Sequence, residues 1–296
     1  MHKYSLETQV LSTLMSYGVD RKVPELRVTE IKALMRNAFR VSNVIVDSKK
    51  MFQLESQYFG DATTQSSPIT LQIIDAKEEK INRKRLLHVN KKSDRNNQSV
   101  NCFGEQTKFT LVVRGKNKLS DAKFQTYIDI LRFSSYLGGI GQRSRRARGA
   151  ISFEKELCED KEQLLNFLHT MLEYFSPKMF NRKGNIIISS FRQKINRPVL
   201  EKIEIGEALT KSVENFLQQV DEAAHESRKF TGESGVFATG GDIKSGKFAS
   251  SLMVSLVKTK DHKIYPIYVF LKPIHNRKKI IDNREVFVNQ LKGAKV

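Results

Sequence analysis

The residues best suited to chemistry lie together between Gly138 and Gly149. That stretch reads Gly138-Gly139-Ile140-Gly141-Gln142-Arg143-Ser144-Arg145-Arg146-Ala147-Arg148-Gly149, four glycines and four arginines in twelve residues. Glycine lets a backbone turn through positive φ and brings bare amides close to a ligand. Arginine offers a planar, permanently charged fork that matches phosphate oxygens. Successive amides can form an anion nest over which guanidinium groups close. The expected ligand of Gly138, Gly139, Gly141, Arg143, Arg145, Arg146 and Arg148 is therefore a polyanion. No G-K-[ST] follows the glycines in register, so this is not a Walker motif. The stretch follows a helix pattern and precedes a strand pattern, the reverse of a dinucleotide fingerprint.

The chain as a whole agrees with that chemistry. It has 296 residues and carries 51 Lys and Arg against 32 Asp and Glu, a formal net charge of +19. Such a surplus calls for a nucleic acid or an anionic membrane as partner. The membrane reading lacks its usual signs: no apolar run approaches ~18 residues, and neither a signal peptide nor a basic amphipathic anchor stands out. Cys102 and Cys158 stand far apart without a C-x-x-C pairing. That argues against a disulfide framework or a zinc site and suits a reducing cytoplasm.

A second set of cations sits on a helix. Thr29 is positioned as N-cap for a helix from Glu30 to about Val41, with Ile31, Leu34, Met35, Ala38 and Phe39 on its apolar face. Lys32, Arg36 and Arg40 repeat every four residues and form one basic stripe. They would track a phosphate backbone, or else make an ordinary solvated face. Lys244 and Lys247, beside Phe248, suggest a further RNA-facing loop. The stretch from about 76 to 106 carries Lys80, Arg83, Lys84, Arg85, Lys91, Lys92 and Arg95 with few apolar residues, and reads as a mobile basic insertion, a hairpin or arm.

The elements that must position these groups follow from periodicity and caps. Strands are expected at Lys3 to Val10, after Pro68, at Phe109 to Val113 and at Gly149 to Phe153. Helices fill the intervals, one capped by Ser48 and stopped by Gly60, another capped by Ser120 and ending at Gly138. Strand, helix, strand, strand, helix, strand is the ferredoxin-like order of an antiparallel sheet with helices on one face. Such sheets often present their open face to RNA. The second half offers an amphipathic helix through Leu164 to Phe175, strands at Asn185 to Phe191 and Val199 to Ile205, a helix from Glu207 to about Arg228, a hairpin around Lys260 to Lys263, and a closing helix from Asp282 to Leu291. The Gly60-Asp61 turn before Ser66-Ser67 has a faint echo in Gly241-Asp242 before Ser250-Ser251, as a duplicated fold would leave. The expected class is α+β: two fused ferredoxin-like (RRM-like) domains at 1–157 and 158–296, the first carrying the insertion.

Several blocks also resemble one family. Tyr17-Gly18-Val19-Asp20, Pro24-Glu25-Leu26-Arg27 and Ile31-Lys32-Ala33-Leu34-Met35-Arg36 are similar to the N-terminal signature of the RAMP subunit at the head of type III-B CRISPR (Cmr) effector complexes. Glu55 to Gly60 with Ser66-Ser67-Pro68, the glycine-rich stretch, and Lys247-Phe248-Ala249-Ser250-Ser251 resemble its later blocks in the same order. The chain departs from the pattern at Asn37-Ala38-Phe39-Arg40, where the family has an aromatic-rich run, and at Gly60-Asp61. The resemblance implies two ferredoxin-like domains and a non-catalytic role in antiviral defence. In that role the chain would hold the 3′ region of guide RNA and its paired target beside other RAMP subunits, with no cofactor and no metal.

Two alternatives come from other classes. One is a metal-independent guide-processing endoribonuclease, which needs a base for the 2′-hydroxyl and an acid for the leaving oxygen. His2, His88, His169, His225, His262 and His275 are scattered, and His88 is the best placed of them. The other is a protein-only assembly adaptor. Asp61 and Asp242 read as turn caps rather than catalytic acids.

Overall fold

The computed structural model describes residues 2–85, 99–116, 119–229, 237–240, 249–274 and 281–293. The first half runs β1 (Lys3–Val10), α1 (Val28–Ser42), α2 (Ser48–Phe59), β2 (Ile69–Lys77), β3 (Lys80–Lys84), β4 (Ser99–Phe103), β5 (Lys108–Gly115), α3 (Asp121–Leu137) and β6 (Ile151–Phe153). Its four-stranded sheet has the order β2-β5-β1-β6, with every neighbouring pair antiparallel. Numbered within the sheet, that is the ferredoxin-like order 4-1-3-2 read from the β6 edge. Leu6 opposite Leu111, and Ile73 opposite Leu111 on the other side, place one apolar face inward. The outward face carries Glu7, Gln9, Thr70, Gln72, Thr110 and Arg114, with Arg114 donating to Gln72 at 2.6 Å. Among the described residues no aromatic ring stands on that face, so it is not a base-stacking platform.

The second half runs α4 (Lys161–Phe175), β7 (Phe180–Lys183), β8 (Ile186–Ser189), β9 (Leu200–Ile205), α5 (Val213–Lys229), β10 (Leu252–Lys258), β11 (Ile264–Leu271) and α6 (Arg284–Leu291). Its five strands lie in the order β10-β11-β9-β8-β7, again all antiparallel. β9-α5-β10-β11-α6 repeats the ferredoxin-like path. The edge position beside β9, which a final strand would fill, is instead taken by β8 from upstream.

Helices α1, α2, α3 and α4 lie between the two sheets, and one hydrophobic core runs through them. It joins Leu6 and Leu111 to Ile31, Phe39, Phe133, Leu168, Ile203, Ile267 and Val269. A second core on the far side of the second sheet packs Leu252, Val254, Leu256, Tyr268 and Phe270 under α5 (Phe216, Leu217, Val220) and α6 (Phe287, Val288). β10 and β11 are thus covered on both faces, which is why they read as nearly unbroken apolar runs. No described helix is long and apolar enough to cross a membrane.

Local corrections have local causes. α1 starts two residues before the expected position, with Arg27 at the N-cap and no side-chain cap, so Thr29 lies inside its first turn. α2 is capped by Asp47, not Ser48: one carboxylate oxygen accepts from the amides of Lys49 at 2.8 Å and Lys50 at 3.2 Å. Ser120 does cap α3, and Gly60 does end α2. The stretch from Glu207 is not helical; the Leu209 amide donates to the Ile264 carbonyl at 2.8 Å and the helix begins at Val213. β7 is an unexpected strand. Part of the 76–106 insertion is folded: β2 extends into it to Lys77, and β3 pairs with β4 as an antiparallel hairpin. Residues 86–98, with His88, Lys91, Lys92 and Arg95, lie outside the described residues, as do Gly241, Asp242, Lys244, Lys247, Phe248 and His275.

Candidate nucleic-acid interface

The glycine-rich stretch is a junction between the two sheets. It leaves α3, turns back on itself, and enters β6. The Ile140 amide donates to the Gly149 carbonyl at 2.9 Å, and the Gly149 amide to the Thr13 carbonyl at 3.1 Å. Gly149 has φ of 66°, and a Cβ there would sit 1.9 Å from the Ile140 oxygen. Only glycine allows that approach. Farther along, backbone amides of Gln142, Arg146 and Ala147 donate to the carbonyls of Met15 at 2.8 Å, Arg143 at 2.7 Å and Val254 of β10 at 2.8 Å, while the Val254 amide donates back to Arg145 at 3.1 Å. Ser12 clasps the same segment, donating to the Ala147 carbonyl at 2.6 Å and accepting from the Ala150 amide at 3.0 Å. These amides are occupied by protein oxygens, and Gly138 and Gly139 are buried. The expected phosphate nest is, for these groups, a backbone weld between β1, β6 and β10.

The four arginines divide. Arg148 is 1% exposed and forms a two-pronged ion pair with Asp221 of α5, itself 2% exposed, at 3.1 and 2.6 Å. It touches no solvent, so the expectation that it meets RNA is corrected. Arg143 reaches the same carboxylate at 3.4 Å but is only half-buried. Arg145 donates to the Ser250 carbonyl, and burial pushes its pKa down. Arg146 lies 5.4 Å from the centroid of the Phe287 ring, a cation–π placement that also pins α6. Arg143, Arg145 and Arg146 keep part of their surface in solvent.

The helix stripe divides in the same way. Arg36 donates to Glu55 at 3.0 Å and to the carbonyls of Phe59 at 3.0 Å and Gly60 at 2.5 Å. Arg40 grips both oxygens of Glu55, at 2.5 and 2.7 Å, and these hydrogen bonds hold its pKa up against burial. Glu55 is buried, so the pair forms a clamp between α1 and α2. Arg36 is half-buried by these contacts, whereas Arg40 keeps about half of its side chain in solvent while it holds Glu55. Lys32, one turn earlier, has no described anionic partner, and burial with Arg36 and Lys116 nearby pushes its pKa down.

Two cations of the basic insertion stand beside the junction. Arg85, at the end of the β3 strand, donates to Gln142 at 2.8 Å, and Arg83 pairs with Glu214 of α5. The basic hairpin is therefore folded against the glycine-rich turn. Tyr17 donates to the Asn101 carbonyl of β4 at 2.6 Å and receives Arg27 at its own carbonyl at 3.0 Å, which ties the hairpin to the loop before α1. Among the described residues, the histidines lie in separate parts of the fold. His2 binds the Leu119 carbonyl at 2.5 Å, His169 the Phe180 carbonyl at 3.1 Å, and His262 sits in the β10–β11 turn. Asp61 is a turn residue, as its position suggests. It accepts from the amides of Thr63 at 2.8 Å and Thr64 at 2.5 Å, and these bonds hold its carboxyl far below the usual range. Cys102 and Cys158 are buried and free, and burial pushes the Cys102 thiol up to about 11.

Comparison with known proteins fits this geometry. Residues 11–152 match the profile of the RAMP superfamily, a span that runs from the end of β1 through the glycine-rich junction. That span holds most of the first sheet, its helices and the glycine-rich junction. The whole fold, with its paired ferredoxin-like sheets, is similar to solved structures. The apo crystal structure of Cmr1 from Pyrococcus furiosus superposes with a TM-score of 0.60 at 17% identity, covering 98% of this chain and 96% of that one. A chain in the cryo-EM structure of the type III-B Cmr-beta complex bound to cognate target RNA superposes with a TM-score of 0.59 at 13% identity, covering 98% of both. No curated protein sequence matches the chain.

Proposed function

We propose that this chain is a cytoplasmic, non-catalytic RNA-binding subunit of a type III-B CRISPR effector. It serves antiviral defence by holding the 3′ region of guide RNA and the target paired with it, beside other RAMP subunits. The observation that carries this reading is the correspondence over 98% of the chain with a component of the Cmr-beta complex bound to cognate target RNA. The RAMP match over 11–152 and the net charge of +19 support it independently. Affinity comes from cations that keep surface in solvent, among them Lys32, Arg40, Arg85, Arg143, Arg145 and Arg146. Phosphate contacts of this kind are blind to sequence. The non-catalytic part of the reading is supported by the distance in the fold between His2, held between the Leu119 carbonyl and the Asp121 carboxylate, and His169, held on the Phe180 carbonyl.

Co-expression with a complete set of type III-B subunits and a CRISPR array tests the assignment. The chain should purify in one large particle whose RNA is guide-derived, with the guide's 3′ end crosslinking to it. A chain that sediments alone, free of RNA, contradicts the reading. Incubation of the purified chain with labelled repeat RNA in chelator should leave the RNA intact; discrete cleavage products would make it an endoribonuclease instead.

A further inference from the structure

A pocket of about 350 Å³ opens between the start of α1, the end of α2 and the first residues of β2. Its charged lining is Lys32 and Lys116, two ammonium groups with no carboxylate among the lining residues. Lys116 follows β5 and donates to the Ser66 hydroxyl. Beside it the Ser67 hydroxyl oxygen is buried with no hydrogen-bond partner. Such an orphan calls for a ligand or water. Thr29 and Thr70 add hydroxyls at the rim, while Met35, Phe59, Ile69 and Leu71 make the walls apolar. Val28, Thr29, Lys32 and Met35 of α1 line this space, and the first turn of that helix has no side-chain cap.

The loop that carries the serines is built rigidly. The Asp61 carboxylate gathers the amides of Thr63 and Thr64, and its own backbone amide donates to the Gln65 carbonyl at 2.9 Å. The loop then folds so tightly over Gly60 that a Cβ there would lie 2.4 Å from the Ser67 nitrogen. Asp61 is spent on its own turn and Glu55 on Arg36 and Arg40. Two like charges held close without a counter-ion repel one another, and an anion between them removes the repulsion.

We propose that this pocket is a phosphate subsite for one nucleotide of a bound RNA strand, held by Lys32, Lys116 and the Ser66 and Ser67 hydroxyls, with the attached sugar and base covering the apolar walls. The inference rests on the reading of the chain as an RNA binder and gives that reading a defined point of attachment. Both an internal phosphodiester and a terminal phosphate have the required chemistry.

The test uses the full chain and fluorescent single-stranded RNA decamers, one with hydroxyl ends and others carrying a 5′- or a 3′-phosphate. Lys32→Gln and Lys116→Gln should each weaken binding several-fold in dilute buffer and make the salt slope shallower by about 0.7 for each phosphate no longer neutralised. Lys183→Gln, on the β7 edge of the other sheet, should leave affinity unchanged. Tighter binding of a phosphate-ended decamer, abolished in both pocket variants, assigns a terminal phosphate; equal binding of all decamers assigns a diester. On the unaltered chain, RNA should protect Lys32 and Lys116 from amine acylation read by mass spectrometry. Wild-type binding with pocket variants equal to Lys183→Gln, or with both lysines labelled alike with and without RNA, overturns the pocket. Failure of the wild-type chain to bind any decamer overturns the RNA reading itself.

Discussion

Arg148 shows how a residue type that suggests function can serve the fold. Its guanidinium is sealed against Asp221, and both side chains are 1% exposed. Breaking a buried pair leaves the surviving charge uncompensated, at a cost of about 3–5 kcal/mol. Arg148→Ala should therefore lower the thermal unfolding midpoint by several degrees. Arg148→Met with Asp221→Leu should recover much of that loss, because an apolar pair of similar volume carries no stranded charge. A single Arg148→Ala variant as stable as the wild type would contradict this role. Gly149→Ala should be worse, since its φ of 66° and the 1.9 Å approach to the Ile140 oxygen leave no room for a methyl group; insoluble or unfolded protein is the expected outcome. The arginine density of this stretch was legible in the sequence, and the division of labour within it was not. Asp221 lies 73 residues from Arg148, beyond any local pattern. One signal was available: Arg148 sits among Ala147, Gly149 and Ala150, small residues that favour burial over a solvated charge.

At the scale of elements, α1 and α2 are locked by Glu55. The spacing of Lys32, Arg36 and Arg40 put them on one helical stripe, but Arg36 and Arg40 reach across to Glu55 of α2 while Lys32 opens onto a pocket. The periodicity identified a shared face and could not say what covers it, because Glu55 arrives from a different helix. Glu55→Ala leaves the Arg36 guanidinium with only the Phe59 and Gly60 carbonyls and takes the shared carboxylate from Arg40, whose side chain keeps solvent contact. It should destabilise the chain by about 2–4 kcal/mol, read in denaturant unfolding, while Lys32→Gln costs little stability. If Glu55→Ala unfolds at the same denaturant concentration as wild type, the clamp is not structural. The strands of the first sheet were readable from alternation, and the helices from their apolar periodicity, with Ser120 and the Gly60 and Gly138 stops correct among the boundary signals and the Thr29 and Ser48 caps not. β7 was not, since Phe180–Lys183 is short and carries two basic residues. The insertion was readable as a hairpin or arm, but its strand bounds were hidden by charge: Lys80 to Lys84 alternates, with only Ile81 as its apolar member. Its distal end ties Arg85 to Gln142 and Arg83 to Glu214, so Arg85→Ala should weaken RNA binding without changing the unfolding midpoint, and a loss of both would assign it to the fold instead.

Across the whole molecule, the sheets and the helices between them form a scaffold that consumes many of the cations the sequence offers. Arg36, Arg40 and Arg148 bind carboxylates inside it, and Arg197 binds the carbonyls of Arg40, Asn43 and Ile45. The remaining surplus, within a net charge of +19, is what reaches a partner. Such a surface should bind unrelated single strands with similar affinity, through phosphates rather than base edges. The most direct measurement is fluorescence anisotropy of the wild-type chain with single-stranded RNAs of unrelated sequence across a range of salt. Near-equal affinities that tighten steeply as salt falls are expected, with a log–log slope of about −0.7 for each phosphate neutralised. No binding in dilute buffer, or binding indifferent to salt, would contradict binding through phosphates.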